Sequence, residues 1–343
     1  MKKEANFWEK IKDEKVKCSL CSHNCVISDG KLGICGVRKN ENGKLVTLIY
    51  GSCSSIAADP IEKKPLYHFY PGTKAFSMGS VGCNFKCDHC QNYSISTAKP
   101  PYSYMKEITP EQVVILAEEY SCQGVSYTYN EPTIWHEFCY DSAKLVKKAG
   151  LYTCYVSNGY IREDPLREIS SVLDAMNVDV KAFSEDFYKK ICKARLEPVK
   201  RTCILAKEFN IHLELTYLVI PDLNDSLNEI RDFCKWVVED LGNYVPVHFS
   251  RFHPDYKMTN VPRTPIKTLV KIYEVAKEIG ILYPYLGNVF DEEYEKTICP
   301  KCGNVCIERK VFSINTMGLN KNKCAKCGKE ISLVNNNYNN QKI

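Results

Sequence analysis

The stretch Cys83-Asn84-Phe85-Lys86-Cys87-Asp88-His89-Cys90 sets three cysteines at C-x3-C-x2-C spacing directly after an apolar run. Three thiolates on so short a loop suit three corners of a cubane iron–sulfur cluster and leave the fourth iron to another ligand. A closed structural zinc site takes four protein ligands, and an iron–sulfur centre that only carries electrons usually takes four thiolates. The rival reading is a zinc knuckle that borrows a distant fourth ligand. The flanking chain argues against it, because the loop opens a repeated strand–helix pattern.

Ala75–Val81 reads as the apolar strand that feeds the loop. Thr109-Pro110-Glu111-Gln112 predicts a helix start, with threonine as N-cap, proline in the first turn and Gln112 at the capping-box position. Strands are predicted at 124–130, 152–157, 175–180, 211–220, 246–252 and 282–286. Helices are predicted at 134–149 (stopped by Gly150), after Asp164-Pro165, at 197–209, at 226–241 and after Thr264-Pro265. Strands alternating with helices indicate βαβ units and a parallel sheet. Six repeats or slightly more predict an α/β fold, an incomplete (β/α)6 TIM-like barrel, whose chemistry belongs at the C-terminal ends of the strands.

Composition sets the outer bounds. The 343 residues are 44% hydrophobic and 25% charged, as in soluble globular chains. A net charge of +5 permits a nucleic-acid partner without arguing for one. No apolar run approaches the roughly 18 residues of a transmembrane helix, and the polar N-terminus has no signal-peptide core. No membrane partner and a cytoplasmic location are expected.

Nineteen cysteines are the outlier, and in a long chain without a signal such usage reads as metal binding, although the isolated Cys122, Cys139, Cys154, Cys192, Cys203 and Cys234 read as small core hydrophobes. Residues 1–72 form a Cys-rich extension. Cys18-x2-Cys21-x3-Cys25 with Cys35 makes a four-thiolate set, and glycines at 30, 33 and 36 allow the turns that bring Cys35 back. Its metal is a second iron–sulfur cluster or structural zinc, which spacing alone does not decide. Lys63–Gly72 is an aromatic, proline-broken loop whose His68 reads as packed. Residues 73–290 are the barrel. Residues 291–332 carry Cys299-x2-Cys302 and Cys324-x2-Cys327, a zinc-ribbon pattern that predicts one tetrathiolate zinc, with Cys306 spare. Lys321, Lys323, Lys326 and Lys329 give it a basic edge. Asparagine-rich residues 333–343 are expected to be disordered.

The cysteine loop, with an aromatic ring at His89 before the last cysteine, resembles the radical-SAM superfamily. Longer motifs are similar to the radical SAM member of the AmmeMemoRadiSam system, a relative of the pyruvate formate-lyase activating enzymes. They are Cys18-x-Leu20-Cys21-x-His23-Asn24-Cys25, Gly33–Arg38, Asp59–Gly72 and Gly82–Asn92. The resemblance implies a 4Fe–4S cluster on Cys83, Cys87 and Cys90 and S-adenosylmethionine (SAM) on its open iron. It also implies cofactor contacts. Asn130 and Glu131 lie in the turn that matches the SAM amino-group turn, with Asn130 in place of a glycine. Ser157 and Asn158 match a Thr-Asn-Gly turn. Asp179 and Lys181 match an Asp-x-Lys, on one strand face, for the SAM ribose and carboxylate. Arg251 and His253, at the sixth strand end, are candidates for SAM or substrate contact.

The activity so implied is reductive cleavage of SAM to a 5′-deoxyadenosyl radical that takes hydrogen from a protein or other macromolecule. An electron donor such as ferredoxin or flavodoxin would supply the electron. The alternatives are radical modification of RNA or of a small molecule, and a non-catalytic iron–sulfur or zinc protein in electron transfer or binding. No residue is singled out as the catalytic group, and the motifs do not name a substrate.

Overall fold

The computed structural model describes residues 1–100, 105–289, 291–310 and 313–335. Eight strands make one sheet: β1 (Ser55–Pro60), β2 (Lys74–Gly79), β3 (Gly124–Tyr127), β4 (Tyr152–Ser157), β5 (Ala175–Asp179), β6 (His212–Val219), β7 (Val247–Arg251) and β8 (Pro284–Gly287). β2 to β8 are parallel and neighbour one another in chain order, while β1 runs antiparallel to β2. Six crossovers join the seven parallel strands. Their main helices are α1 (Pro110–Glu119), α2 (His136–Lys148), α3 (Glu163–Ser170), α4 (Leu196–Glu208), α5 (Leu227–Trp236) and α6 (Ile266–Ile279). β1 and β8 remain the two edges, so the barrel is incomplete, as expected.

The helix signals are mostly local. Thr109 and Gln112 form the full capping box of α1. α3 begins one residue before Asp164, with Arg162 as its N-cap, so Asp164 and Pro165 sit inside the first turn. Thr264 does not cap α6. Its hydroxyl instead donates to the Val219 carbonyl and accepts from the Phe252 amide, locking β6 to the end of β7.

Period-two alternation divides each strand between two environments. Phe76, Met78, Val125, Tyr127, Tyr155, Val178, Leu215 and Phe249 pack with helix residues such as Phe138 and Val146 in the main core. The intervening residues, including Ser77, Ser126, Asn177, Glu214, Thr216 and His248, are small or polar and buried. Buried polar groups need partners, and residues 61–72 supply them for Asn177 and Glu214.

That loop plugs the barrel. Leu66 and Phe69 pack on Ala75, Tyr152, Cys154 and Ala175. The Tyr67 and His68 amides donate to Glu214 at 3.0 and 2.7 Å, and Asn177 Nδ2 donates to the Pro65 carbonyl at 2.8 Å. Glu214 also meets His212 and His248 at 3.0 and 2.7 Å. Burial alone would raise its pKa, but the two histidines hold it well below the usual carboxylate range. His68 is packed, against the Ser332 carbonyl and the Tyr285 hydroxyl, and burial pushes its pKa down to about 3.

The N-terminal residues form two small antiparallel sheets of three strands each, one from Trp8–Lys10, Val16–Cys18 and Val26–Ile27, the other from Lys3–Glu4, Lys44–Thr47 and Arg38–Glu41. A fully buried ion pair between Arg38 and Glu137 joins them to α2. The tail folds as strands Thr297–Ile298, Val305–Lys310 and Ser313–Asn315 plus a short Leu319–Asn320/Lys323–Cys324 hairpin. It is less separate than its pattern suggests. Tyr67, Tyr283 and Tyr285 share a core with Cys299, Cys306 and Ile307, and buried Arg309 donates to the Tyr67 carbonyl at 2.7 Å. Order continues past residue 333. Leu333 is buried, and the Val334 amide donates to the His68 carbonyl. The rest of the stretch expected to be disordered, residues 336–343, lies outside the described residues.

Candidate active site and metal centres

A cavity of about 360 Å³ opens at the C-terminal ends of the parallel strands. Cys83, Cys87 and Cys90 line one wall, on the loop after β2. Asn130 and Glu131 follow β3, Ser157 and Asn158 end β4, and Asp179 and Lys181 end β5. The structure therefore brings nearly all the sequence candidates to one place.

The cysteine loop is braced on three sides. Asn130 accepts from the Ser80 amide at 3.0 Å and donates to the Gly82 carbonyl at 3.0 Å, so its side chain spans the entry to the loop. Asn158 Nδ2 donates to Asn84 Oδ1 at 2.8 Å and lies 3.8 Å from Cys83 Sγ. The amides of Lys86 and Asp88 donate to the carbonyls of Cys192 and Ile191. The Phe85 amide donates to Cys83 Sγ at 3.3 Å, and Ser96 Oγ lies 3.2 Å from Cys90 Sγ. Hydrogen bonds to cluster sulfurs are one of the means by which proteins tune such centres.

Glu131 is turned to a bracing role. Its carboxylate accepts from Thr133 N, Ser157 Oγ and Asn158 N at 2.8–2.9 Å, tying the third strand end to the fourth. Burial pushes its pKa up. Asp179 accepts from Lys181 Nζ at 2.6 Å. Burial opposes charge on Lys181, but Asp179 and the Cys87 sulfur outweigh it and keep the ammonium. His89 is almost fully buried with neither ring nitrogen partnered. Burial, aided by Lys181, lowers its pKa to about 3, so it stays neutral. Two unpartnered ring nitrogens beside three cysteines fit a site built to take a polar cofactor.

Arg251 departs from expectation. Ser250 faces this cavity, so its neighbour points the other way by the period of two. Arg251 Nε donates to the Thr264 carbonyl at 2.7 Å, and with His253 and Arg263 it lines an adjoining cavity. Gln91 and Asn288 border both cavities.

Two lining residues, Lys64 and Tyr129, and Asp59 behind them were given no individual role in the sequence reading. Lys64 Nζ donates to Asp59 Oδ2 at 2.7 Å and Tyr129 OH donates to the same oxygen at 2.9 Å. Lys64 and Tyr129 line the cavity, and Tyr129 holds a left-handed φ of 71°. Burial would raise the Asp59 pKa, but Lys64, Tyr129 and Lys63 bring it down to about 2. The signal in sequence was the Asp59–Gly72 motif, which holds Asp59 and Lys64 but does not show that they pair or that Tyr129 joins them.

In the tail, the Sγ atoms of Cys299, Cys302, Cys324 and Cys327 all lie within 4.8 Å of one another and could hold a metal ion. Gly303 and Gly328 share a φ of 70°, and their amides bond back to the Cys299 and Cys324 carbonyls, two matching knuckles. Cys306 packs beside the four without being one of them, its thiol on the Asn304 carbonyl.

This fold, with three cysteines after the first parallel strand, defines the class, and the comparisons agree. The model of the Radical SAM superfamily matches residues 78–236. The chain belongs to the radical SAM superfamily, whose members are enzymes, and membership implies a 4Fe–4S cluster and SAM. An uncharacterized protein of Methanocaldococcus jannaschii is 46% identical over 334 residues, covering 97% of this chain and 99% of its own. The pyruvate formate-lyase 1-activating enzyme of Escherichia coli is 24% identical over 224 residues, 58% of this chain and 87% of its own. A solved domain of pyruvate-formate lyase-activating enzyme from Bacteroides vulgatus aligns with a TM-score of 0.43 at 14% identity, covering 48% of this chain and 99% of that one.

Proposed function

We propose that this chain is an activating-enzyme-like radical SAM enzyme of the AmmeMemoRadiSam type, acting on a protein. The observation that carries it is the convergence of Cys83, Cys87 and Cys90 with unpartnered His89 and the Asp179–Lys181 pair on one cavity. Cys83, Cys87 and Cys90 would hold a 4Fe–4S cluster, which would supply one-electron reduction of the SAM sulfonium, with the electron drawn from a ferredoxin or flavodoxin, and so a 5′-deoxyadenosyl radical able to take hydrogen from the substrate.

The chain's own residues do the positioning. The three thiolates leave one iron free. His89 offers an uncharged ring with a donor and an acceptor. Asp179 suits ribose hydroxyls and Lys181 a carboxylate. Asn130, Glu131 and Asn158 hold the loops still, which keeps reactive geometry and excludes water. Macromolecular substrates fit the activating-enzyme relatives. In the tail we assign zinc, because four thiolates this close suit tetrahedral coordination.

The substrate class is tested with protein and RNA fractions from cells grown in heavy water, each incubated anaerobically with the reduced enzyme and unlabelled SAM. Singly deuterated 5′-deoxyadenosine is expected with the protein fraction. Deuterium arriving only from RNA or small molecules would overturn the assignment.

A further inference from the structure

Cys18, Cys21, Cys25 and Cys35 line one cavity whose other walls include Leu20, Ile27 and Ile134. Two other cysteine groups on this chain calibrate its spacing. The tail quartet is drawn in tightly, with Sγ pairs at 3.6 Å and all four within 4.8 Å. That matches tetrahedral zinc, where Zn–S bonds of about 2.3 Å leave sulfurs ~3.8 Å apart. Among the described residues, no other group of three or more candidate ligands is gathered so closely. The N-terminal quartet, like the Cys83, Cys87 and Cys90 triad, is not gathered in that way. On a cubane each thiolate binds a different iron, so its sulfurs stand wider apart than around a single ion.

The surroundings point the same way. Arg38, 1% exposed, lines this cavity with its Nε unpartnered and its Nη1 3.9 Å from Cys18 Sγ. The cavity also abuts the catalytic loop. His23 Nε2 lies 2.8 Å from the Asn84 carbonyl oxygen. Gly82, with φ 82°, sits so close that a Cβ there would be 2.8 Å from the Cys35 carbonyl oxygen and 2.6 Å from Val37 Cγ1.

We propose that Cys18, Cys21, Cys25 and Cys35 bind a second 4Fe–4S cluster, not zinc, as an electron-carrying centre beside the SAM-side loop. With all four irons capped by cysteine, it has no corner for SAM or substrate. What remains is reversible one-electron chemistry, the core passing from 2+ to 1+ on taking an electron from a low-potential iron–sulfur or flavin protein and returning to 2+ on giving it up. No bond is made or broken in that exchange. The inference goes beyond the proposed function and does not rest on its substrate.

The test uses the full chain, reconstituted anaerobically with iron and sulfide. Wild type should hold about eight irons and eight sulfides, two cubanes, with one zinc. The Cys83→Ala/Cys87→Ala/Cys90→Ala variant should keep about four irons and give an S = 1/2 resonance on reduction that SAM does not alter. Adding oxidised flavodoxin should abolish that resonance. The Cys21→Ser/Cys35→Ser variant should keep only the SAM-responsive signal. Two zincs with about four irons in wild type would overturn the proposal, as would a triad variant without iron. A residual cluster that no low-potential donor reduces would equally overturn it. The wild-type stoichiometry decides the metal even where a variant fails to fold.

Discussion

Lys64, which lines the cavity at the strand ends, donates to Asp59 Oδ2 at 2.7 Å from the loop that plugs the barrel, so one wall of that cavity is held by a buried ion pair. Tyr129 adds a second hydrogen bond to the same oxygen.

The Asp59 pKa falls from 3.8 to about 2 on folding, despite burial, because Lys64, Tyr129 and Lys63 favour the carboxylate. A depressed carboxylate pKa stabilises the fold fully above the unfolded value, and the contribution is lost as pH falls through about 4 towards 2. Asp59→Asn should therefore cost about 2 kcal/mol or more at pH 7, where Lys64 is left unpaired, and much less near pH 2. Urea midpoints compared at pH 7 and pH 3 check this. A deficit that does not shrink with acid would return the pair to ordinary packing.

Asp179→Ala should weaken SAM binding about ten- to a hundredfold, the roughly 1.5–3 kcal/mol of a charge-assisted hydrogen bond. Iron content should stay intact, because Asp179 is not among the thiolate ligands. Anaerobic calorimetry with SAM reads the affinity directly, and an unchanged value would make Asp179 only the partner of Lys181.

Cys302→Ser should release about one zinc per chain and lower the melting temperature of the whole protein. The tail's core is shared with Tyr67, Tyr283 and Tyr285, so loosening it uncovers the barrel base. The ribbon pattern suggests a unit separate from the barrel; the contacts of Arg309 tie ribbon and barrel together. Metal analysis beside thermal denaturation distinguishes the two. Zinc loss with an unmoved transition would support the independent module.

What could be read from sequence was local. Three cysteines within eight residues, the capping box at Thr109 and the strand-end turns at Asn130, Asn158 and Asp179 each carry their meaning in a few neighbouring residues. Period and order then placed them on one rim. The plug could not be read so. Residues 61–72 have no helical or strand period, and their partners are distant, His68 on Glu214 and Tyr67 on Arg309, 146 and 242 residues away. Glu131 was read as part of the turn that contacts the cofactor, and it does border the cavity, but the bracing role of its carboxylate could not be read, because a motif shows which residue is present and not where its oxygens point. Arg251 was displaced by one position of alternation: Ser250 takes the inward place and Arg251 lines the adjoining cavity. The thiol spacing that separates the N-terminal quartet from the tail quartet is likewise a matter of three dimensions.

The central claim is that the Cys83 loop carries a cluster that cleaves SAM. The direct measurement is 5′-deoxyadenosine formed by the reconstituted, reduced protein, compared with Cys87→Ala handled identically. The account predicts product from wild type and none above background from the variant. Equal product from both, or none from a wild type that holds its full iron and sulfide, would contradict it.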